Sequence, residues 1–211
     1  DLFLKEGVIV STKGRTTEEE KVYARPNDTL PEFPMIVVLN GQSASASEVV
    51  SGALADNSRA VILGERSFGK GIVQTLYRLP SGTGQLKVTE QYYYLPSGRC
   101  IQRTDDSAEW GVDPTPGYYV PMTNPEYREM LRVRRDEEVI RRAGDSDEEA
   151  KAWSDPQWIL EYLKDKQLSS AVKAIAAKLD SGEWVPTGAD APKGTLEQAE
   201  MKREERRYEL L

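Results

Sequence analysis

The 211-residue sequence contains no histidine and a single cysteine, Cys100. Without histidine, neither a Ser-His-Asp triad nor a Cys-His dyad can be assembled from this chain. A single cysteine cannot form an internal disulfide, and a zinc site of the usual Cys/His type is excluded. We therefore expect no metal and no cofactor, and any proton transfer has to use Lys, Asp, Glu, Tyr or the lone Cys.

Long apolar runs are also missing, because no stretch of this sequence approaches the roughly 20 residues needed to span a membrane. The first ten residues, DLFLKEGVIV, are neither basic nor shaped like a signal peptide. Basic residues are outnumbered, with 28 Lys and Arg against 35 Asp and Glu and a net charge of -7. This acidity disfavours nucleic acid as a partner.

Short apolar runs rich in Val and Ile predict strands at residues 7–12, 34–40 and 60–64. The latter two runs are almost wholly apolar, as in strands that are covered on both faces. Between them, residues 43–57 carry apolar side chains at helical spacing. A strand, a helix and a strand in this order form a βαβ unit, which predicts an α/β fold with parallel strands. Alternating residues and Pro-Ser-Gly turns over 72–102 predict a β-hairpin extension.

Beyond about residue 121 the sequence becomes helical in character. Asn124-Pro125 and Asp155-Pro156 have the pattern of an N-cap followed by an N1 proline. The helix that starts near Leu168 is expected to pack through one apolar stripe, formed by Val172, Ile175, Ala176 and Leu179. Residues 130–151 and 196–211 are dense in charges of both signs, which predicts solvated helices or frayed ends. We therefore divide the chain into a core at 1–120 and a helical region at 121–211.

The octapeptide GERSFGKG, residues 64–71, is one residue short of a phosphate-binding loop. Such a loop places Ser or Thr after its lysine to hold magnesium, but here Gly71 follows Lys70. The next residues, IVQTLYRL, favour a strand over the helix that a phosphate site requires. A nucleotide ligand is therefore disfavoured, and the plain alternative is an exposed lysine in a loop bent by glycine.

Three serines, Ser43, Ser45 and Ser47, lie where the predicted helix follows the strand at 34–40. Open α/β folds usually bind ligands at that end of a strand. The structural alternative is a capping box, because Glu48 follows Ser45 by three residues. If a serine is the nucleophile, the N–H groups of the helix N-terminus can stabilise an oxyanion.

A nucleophilic serine in a chain without histidine needs another base, and lysine is the option that fits. Burial has to lower the pKa of a lysine from about 10.4 to about 7 or 8 before it can serve as a base. Lys70 lies beside Phe68 and between two glycines, a setting that fits an enclosed site.

The segment from Asn40 to Arg99 resembles the core of the carboxyl-terminal processing peptidases, which are tail-specific serine proteases with a Ser-Lys dyad. SASASE at 43–48, together with SFGKGIVQ at 67–74, carries the resemblance. The opening DLFLKEGVIVSTKGR and the later GVDPTPGYYV at 111–120 extend it over most of residues 1–120.

This resemblance implies a ClpP/crotonase-like α/β core with a β-hairpin extension, followed by a mostly α-helical C-terminal region. By position, it makes Ser45 the nucleophile, Lys70 the general base and Gln74 the residue that orients the lysine. The Ala46 N–H would be an oxyanion-hole donor. On a straight strand, Lys70 and Gln74 would lie about 13 Å apart, so we expect the chain to bend at Gly71.

Members of that family usually carry a PDZ domain and an Asn-x-Gly-Gly strand that completes the oxyanion hole, both ahead of a segment like DLFLKEGVIV. The resemblance therefore implies the C-terminal part of a longer protease, with reduced or no activity on its own. It further implies protein or peptide substrates with exposed C-termini, export to the cell envelope or periplasm under an upstream signal, and homo-oligomers formed through the helices after residue 121. The alternative is a non-catalytic peptide-binding or assembly module on the same fold.

Overall fold

The computed structural model of the protein describes residues 2–105, 107, 109–137 and 153–192. Strands and helices are both present in this part of the chain, which confirms a mixed α/β fold. They are β1 (Val8–Gly14), β2 (Glu20–Tyr23), β3 (Ile36–Leu39), α1 (Ala46–Asp56), β4 (Val61–Gly64), β5 (Ile72–Arg78), β6 (Gln85–Tyr94), α2 (Asn124–Glu137), α3 (Pro156–Glu161) and α4 (Lys166–Ser181). Within the described ranges, none of the helices has the length and apolarity needed to cross a membrane.

One compact unit comprises residues 1–33, 39–61 and 66–113. It contains an antiparallel sheet with the strand order β2-β1-β6-β5. β5 pairs with β6 along its whole length, which confirms the predicted β-hairpin extension. β2 was not predicted, because the side chains of EKVY are all exposed and show no apolar alternation. Its strand conformation comes from pairing with β1.

The helix α1 packs against β1 in this unit. At its C-terminal end, Asn57 Nδ2 donates to the Val8 carbonyl at 3.1 Å and to the Ala53 carbonyl at 2.8 Å. In the middle of the helix, Gly52 lies against Leu95, where a Cβ atom would come within 2.4 Å of the leucine Cδ2. Close packing therefore fixes the position of the helix whose first residue follows Ser45.

The described residues of the other compact unit are 34–38, 62–65, 114–137 and 153–192. β3 and β4 are neighbours in a two-stranded sheet, as the predicted βαβ unit requires. β4 is buried along its whole length. At the end of β4, the Gly64 N–H donates to the Tyr118 carbonyl at 3.0 Å, and the Val120 N–H donates to the Gly64 carbonyl at 2.9 Å. These bonds anchor the segment after residue 114 to the end of β4.

The start of α3 agrees with the predicted N-cap, because the Asp155 side chain accepts a hydrogen bond from the Gln157 N–H at 2.8 Å.

The start of α2 differs from the predicted N-cap. Asn124 is already helical, so the prediction of Asn124 as the N-cap was wrong by one residue. Thr123 holds that place, since its N–H and its hydroxyl donate to Glu126 Oε2 at 2.6 and 2.8 Å. A Thr-x-x-Glu capping box thus sets the start of this helix.

The buried face of α4 differs from the predicted stripe. Ala171 and Ala174 are buried, whereas Leu179 is 68% exposed. The buried Gln167 side chain donates from Nε2 to the Val120 carbonyl at 2.8 Å, which brings that face of the helix inward. The buried face therefore centres on a side-chain amide and small alanines, and the larger Val172 and Ile175 are half-buried.

The two charge-dense segments are described only in part. Residues 130–137 form the end of α2, and Met130 is buried, so this end of the helix is not wholly solvated. The rest of the first segment and all of residues 196–211 lie outside the described residues.

We expect Glu126→Gln to lower the free energy of unfolding by about 1 kcal/mol near neutral pH. Burial raises the pKa of Glu126, but hydrogen bonds from Thr123 and Lys166 outweigh it and hold this pKa below its usual value. A lowered pKa gives stability that is lost as the pH falls through the folded-state value. Urea unfolding of the two proteins should therefore show a difference at pH 7 that shrinks at pH 3.5.

Glu129→Gln is the matched control, because Glu129 lies on the same helix and pairs with the exposed Arg132. Its effect at pH 7 should be smaller. A loss for Glu126→Gln that is equal at both pH values would contradict the capping-box account.

Candidate active site

Ser45 lies at the turn between β3 and α1 and has a strained backbone. Its φ is 59° and its ψ is -119°, a combination that residues with a Cβ rarely adopt. Strain of this kind is found where a strand-to-helix turn presents a nucleophilic serine. Of the three neighbouring serines, Ser43, Ser45 and Ser47, only Ser45 has a positive φ. The backbone therefore distinguishes it from the two competing serines.

The capping box predicted for Ser45 and Glu48 is present. In one half, the Ser45 N–H donates to Glu48 Oε2 at 2.8 Å. In the other half, the Ser45 hydroxyl lies near the Glu48 N–H, but that N–H donates to the Ser45 carbonyl at 2.9 Å, and the hydroxyl makes no capping hydrogen bond of good geometry. The hydroxyl is thus not committed to the helix terminus.

The N–H groups at the start of α1 differ in whether they have an acceptor. Those of Ser45, Ser47, Glu48 and Val49 donate to Glu48 Oε2 or to backbone carbonyls of the same turn. For the Ala46 N–H, no acceptor is found among the described residues. Ala46 is also exposed. An anion beside Ser45 can therefore be met by this donor and by the positive end of the helix dipole.

Glu48 is completely buried, with 0% of its surface exposed. Its Oε1 accepts from the Ser67 hydroxyl and from the Gly69 N–H, each at 2.5 Å. Its Oε2 accepts from the Ser45 N–H and from the Lys70 N–H, each at 2.8 Å. Four neutral donors fill the acceptor capacity of a carboxylate, which compensates for its loss of water. One side chain therefore connects the serine turn to the lysine loop.

The first two residues of the GVDPTPGYYV motif, Gly111 and Val112, lie beside Ser67 and the Glu48 carboxylate. The Ser67 N–H donates to the Val112 carbonyl at 3.0 Å, and the Val112 N–H donates back to the Ser67 hydroxyl at 2.7 Å. Gly111 has a φ of 61°, and a Cβ atom there would lie 2.6 Å from Ser67 Oγ and 3.2 Å from Glu48 Oε1. A side chain at this position would push into the site.

Lys70 lies in the irregular segment between β4 and β5, not on the strand. Gly69 has a positive φ of 89°, whereas the predicted hinge, Gly71, has no positive φ. Both glycines are buried, against Trp110 and Ile101 respectively, and this leaves Lys70 between them exposed. The expectation of an enclosed lysine is therefore not met within the described residues. The two glycines that suggested an enclosed lysine are themselves packed against the interior.

The same loop cannot bind phosphate in the manner of a nucleotide site. The Gly69 and Lys70 N–H groups donate to Glu48, and the Gly71 N–H donates to Gln102 Oε1 at 2.9 Å. A phosphate loop needs such N–H groups free to cradle the anion. Here they are taken, and a buried carboxylate occupies the place of the anion.

Gln74 lies on β5, next to an irregularity in register between Val73 and Gln74. It is exposed, and its Nε2 donates to Thr89 Oγ1 on β6 at 3.0 Å. The cross-strand bond fixes the amide and leaves its carbonyl oxygen as the atom that can accept from a lysine.

Sequence reasoning missed two members of this site. Glu48 was interpreted only as part of a capping box, although its carboxylate also binds residues 67–70. Ser67 was not singled out at all, and it is 3% exposed. A local pattern reveals the contact between Ser45 and Glu48, whereas bonds spanning 19 or more residues leave no local signal.

The comparison with protein-family models matches residues 1–116 to "Peptidase family S41". This match covers more than half of the chain. The chain belongs to peptidase family S41.

Curated relatives of this member of family S41 have similar names. A carboxy-terminal-processing protease of Bartonella bacilliformis is 43% identical over 143 residues, which cover 67% of this chain and 31% of the relative. A chloroplastic carboxyl-terminal-processing peptidase of Arabidopsis thaliana is 43% identical over 97 residues, 46% of this chain and 20% of the relative. The solved photosystem II D1 C-terminal processing protease is 31% identical, with a TM-score of 0.46 over 57% of this chain and 28% of its own. The matched segments thus span a third or less of these proteins.

We expect Gly69→Ala to lower the free energy of unfolding by about 2–4 kcal/mol. A Cβ atom at that position would lie 2.6 Å from Trp110 Cδ1 and 2.8 Å from Arg103 Cβ, on a backbone with φ 89°. Gly82→Ala is the matched control, because Gly82 also has a positive φ of 71° but open space around its Cβ position. That variant should lose only about 1 kcal/mol. Equal losses in urea unfolding would show that strain alone, not close packing, requires Gly69.

Proposed function

We propose that this chain forms most of the catalytic core of a serine endopeptidase that cleaves near the C-termini of protein substrates through a Ser45–Lys70 dyad. The observation that carries the proposal is the shared acceptor, Glu48 Oε2, to which the N–H groups of both residues donate at 2.8 Å. A nucleophile and its base have to lie close together, and this bond holds their main chains side by side. The strained turn at Ser45 supports the same assignment.

The proposed mechanism is acyl transfer. Neutral Lys70 takes the proton of the Ser45 hydroxyl while Oγ attacks the scissile carbonyl carbon, and the carbonyl oxygen becomes an oxyanion. The Ala46 N–H and the dipole of α1 stabilise that oxyanion. The C–N bond then breaks, and the amine leaves with the proton that Lys70 had taken. Water, deprotonated by Lys70, hydrolyses the acyl-enzyme and returns the hydroxyl to Ser45.

Gln74 orients the lysine in this proposal. Its Nε2 is held by Thr89, so its carbonyl oxygen is the atom available to accept from the Lys70 amine. Lys70 is exposed in this chain, so its enclosure during catalysis has to come from the bound substrate or from the remainder of the full-length protein. The relatives are three or more times as long as their matched segments, which leaves room for an additional oxyanion donor and a PDZ gate.

An extended peptide substrate would add a strand to the sheet beside the site. The position of β5 supports this, because β5 begins two residues after Lys70 and lies at the end of the strand order within the described residues. Recognition would then combine main-chain bonds along β5 with the free C-terminus of a protein or peptide.

The remaining features of the proposal rest on the family. They are a ClpP/crotonase-like core, a division into a core at 1–120 and a mostly helical C-terminal region, oligomers formed through those helices, and export to the cell envelope or periplasm. A non-catalytic peptide-binding or assembly module is the second candidate, and the exposure of Lys70 is the observation that favours it.

We expect Ser45→Ala in the full-length protein to abolish cleavage of a peptide with a free C-terminus and to abolish labelling by a fluorophosphonate. Ser43→Ala and Ser47→Ala are matched controls from the same turn and should keep both activities within about an order of magnitude. Circular dichroism checks that each variant is folded. Cleavage that survives in Ser45→Ala would sink the assignment, and no cleavage even by the wild type would favour the binding module.

We expect Lys70→Ala to lower kcat by about 10²–10⁴, the usual contribution of a general base. Lys70→Arg should be equally impaired, because a guanidinium keeps its charge but cannot lose a proton at working pH. Steady-state kinetics of the three proteins make the comparison. Activity retained by Lys70→Arg would show that the residue serves as a positive charge and not as a base.

A further inference from the structure

We infer that Glu48 is a positioning residue for the Ser45–Lys70 dyad, with a buried carboxylate that holds the serine turn and the lysine loop in one fixed arrangement. The inference rests on the proposed function of those two residues. A helix cap would need only the Ser45 N–H, but three further donors come from residues 67–70. The additional bonds indicate a role beyond helix termination.

The arrangement of the four bonds makes the link rigid. Oε2 is shared by the Ser45 and Lys70 N–H groups, so these nitrogens cannot separate without breaking one of two 2.8 Å bonds. Oε1 is held by the Ser67 hydroxyl and the Gly69 N–H, which prevents the carboxylate from rotating to follow either segment. A further hydrogen bond, from the Phe68 N–H to the Ser43 carbonyl at 2.9 Å, joins the lysine loop to the serine turn without involving Glu48.

Glu48 is not itself a candidate base or nucleophile. All four of its acceptor positions are occupied by protein donors, and none of its surface is exposed to a substrate. It therefore acts through the residues it holds. A side chain in this role should change turnover more than substrate binding, because a misplacement of about 1 Å near reacting groups costs about 10² in rate.

The site requires the carboxylate of glutamate in particular. Glutamine has the same shape, but its NH₂ group would face N–H or O–H donors and leave two of them without an acceptor. Aspartate keeps the charge but is shorter by one methylene, so it cannot reach both the helix start and the loop. The isosteric Glu48→Gln is therefore the informative variant.

The test compares Glu48→Gln with the wild type in the full-length protein. We expect kcat for a peptide substrate to fall about 10²-fold, KM to stay within about 3-fold, and the rate of fluorophosphonate labelling to fall in parallel with kcat. Asp56→Asn is the matched control, because Asp56 lies on the same helix and accepts a hydrogen bond from the Ser97 N–H at 2.9 Å, away from the dyad. It should keep wild-type kcat and labelling.

A second pair of variants keeps the test decisive if Glu48→Gln does not fold. Ser67→Ala removes one of the four donors, and Ser67→Thr restores a hydroxyl at the same place. We expect kcat to fall about 10-fold in the alanine variant and to recover in the threonine variant, with KM unchanged in both.

The outcomes separate the two proposals. A folded Glu48→Gln with wild-type kcat, or equal kcat in the two Ser67 variants, would overturn the role of Glu48 alone. Loss of kcat together with an equal rise of KM would point to a general structural defect and also overturn it. Wild-type cleavage that persists in Ser45→Ala would overturn the proposed function, and the role of Glu48 with it.

Discussion

A carboxylate removed from water has to be given hydrogen-bond donors by the protein, and Glu48 obtains four from two segments far apart in the sequence. This requirement determines much of the surrounding structure. It draws the loop after β4 onto the start of α1, and a Cβ atom at Gly111 would lie 3.2 Å from Glu48 Oε1. It also uses the loop N–H groups that a nucleotide site would have needed. The chain therefore has the glycines of a phosphate loop but a different chemistry.

The positions of helices and strands could be predicted from the sequence better than the contacts between them. Apolar runs placed β1, β3 and β4 correctly, and helical spacing placed α1, because each of these signals is local. β2 escaped notice because all its side chains are exposed, and pairing with β1 is what makes it a strand. On α4, the predicted apolar stripe is only partly buried, and the buried Gln167, which donates to the Val120 carbonyl, could not be recognised from apolar spacing.

In the candidate site too, contacts between residues close in the sequence could be predicted, whereas contacts between distant residues could not. The pairing of Ser45 with Glu48 follows from their spacing, and the family predicted from the motifs around Ser45 and Lys70 is the one whose model matches residues 1–116. Whether Lys70 is buried or exposed could not be predicted from its sequence neighbours. Glycines on both sides of a residue fit a hinge, an enclosed pocket or close packing equally well. Only the contacts of Gly69 and Gly71 with distant side chains decide between these.

The bond from the Lys70 N–H to Glu48 spans 22 residues, and this has a consequence for how the protein folds. Neither α1 nor the loop contains the arrangement of Ser45 and Lys70 by itself, so the arrangement requires both segments to be folded against each other. If either segment unfolds locally, the arrangement of Ser45 and Lys70 is lost. The geometry of the candidate site is therefore a property of the completed fold and of no single segment within it.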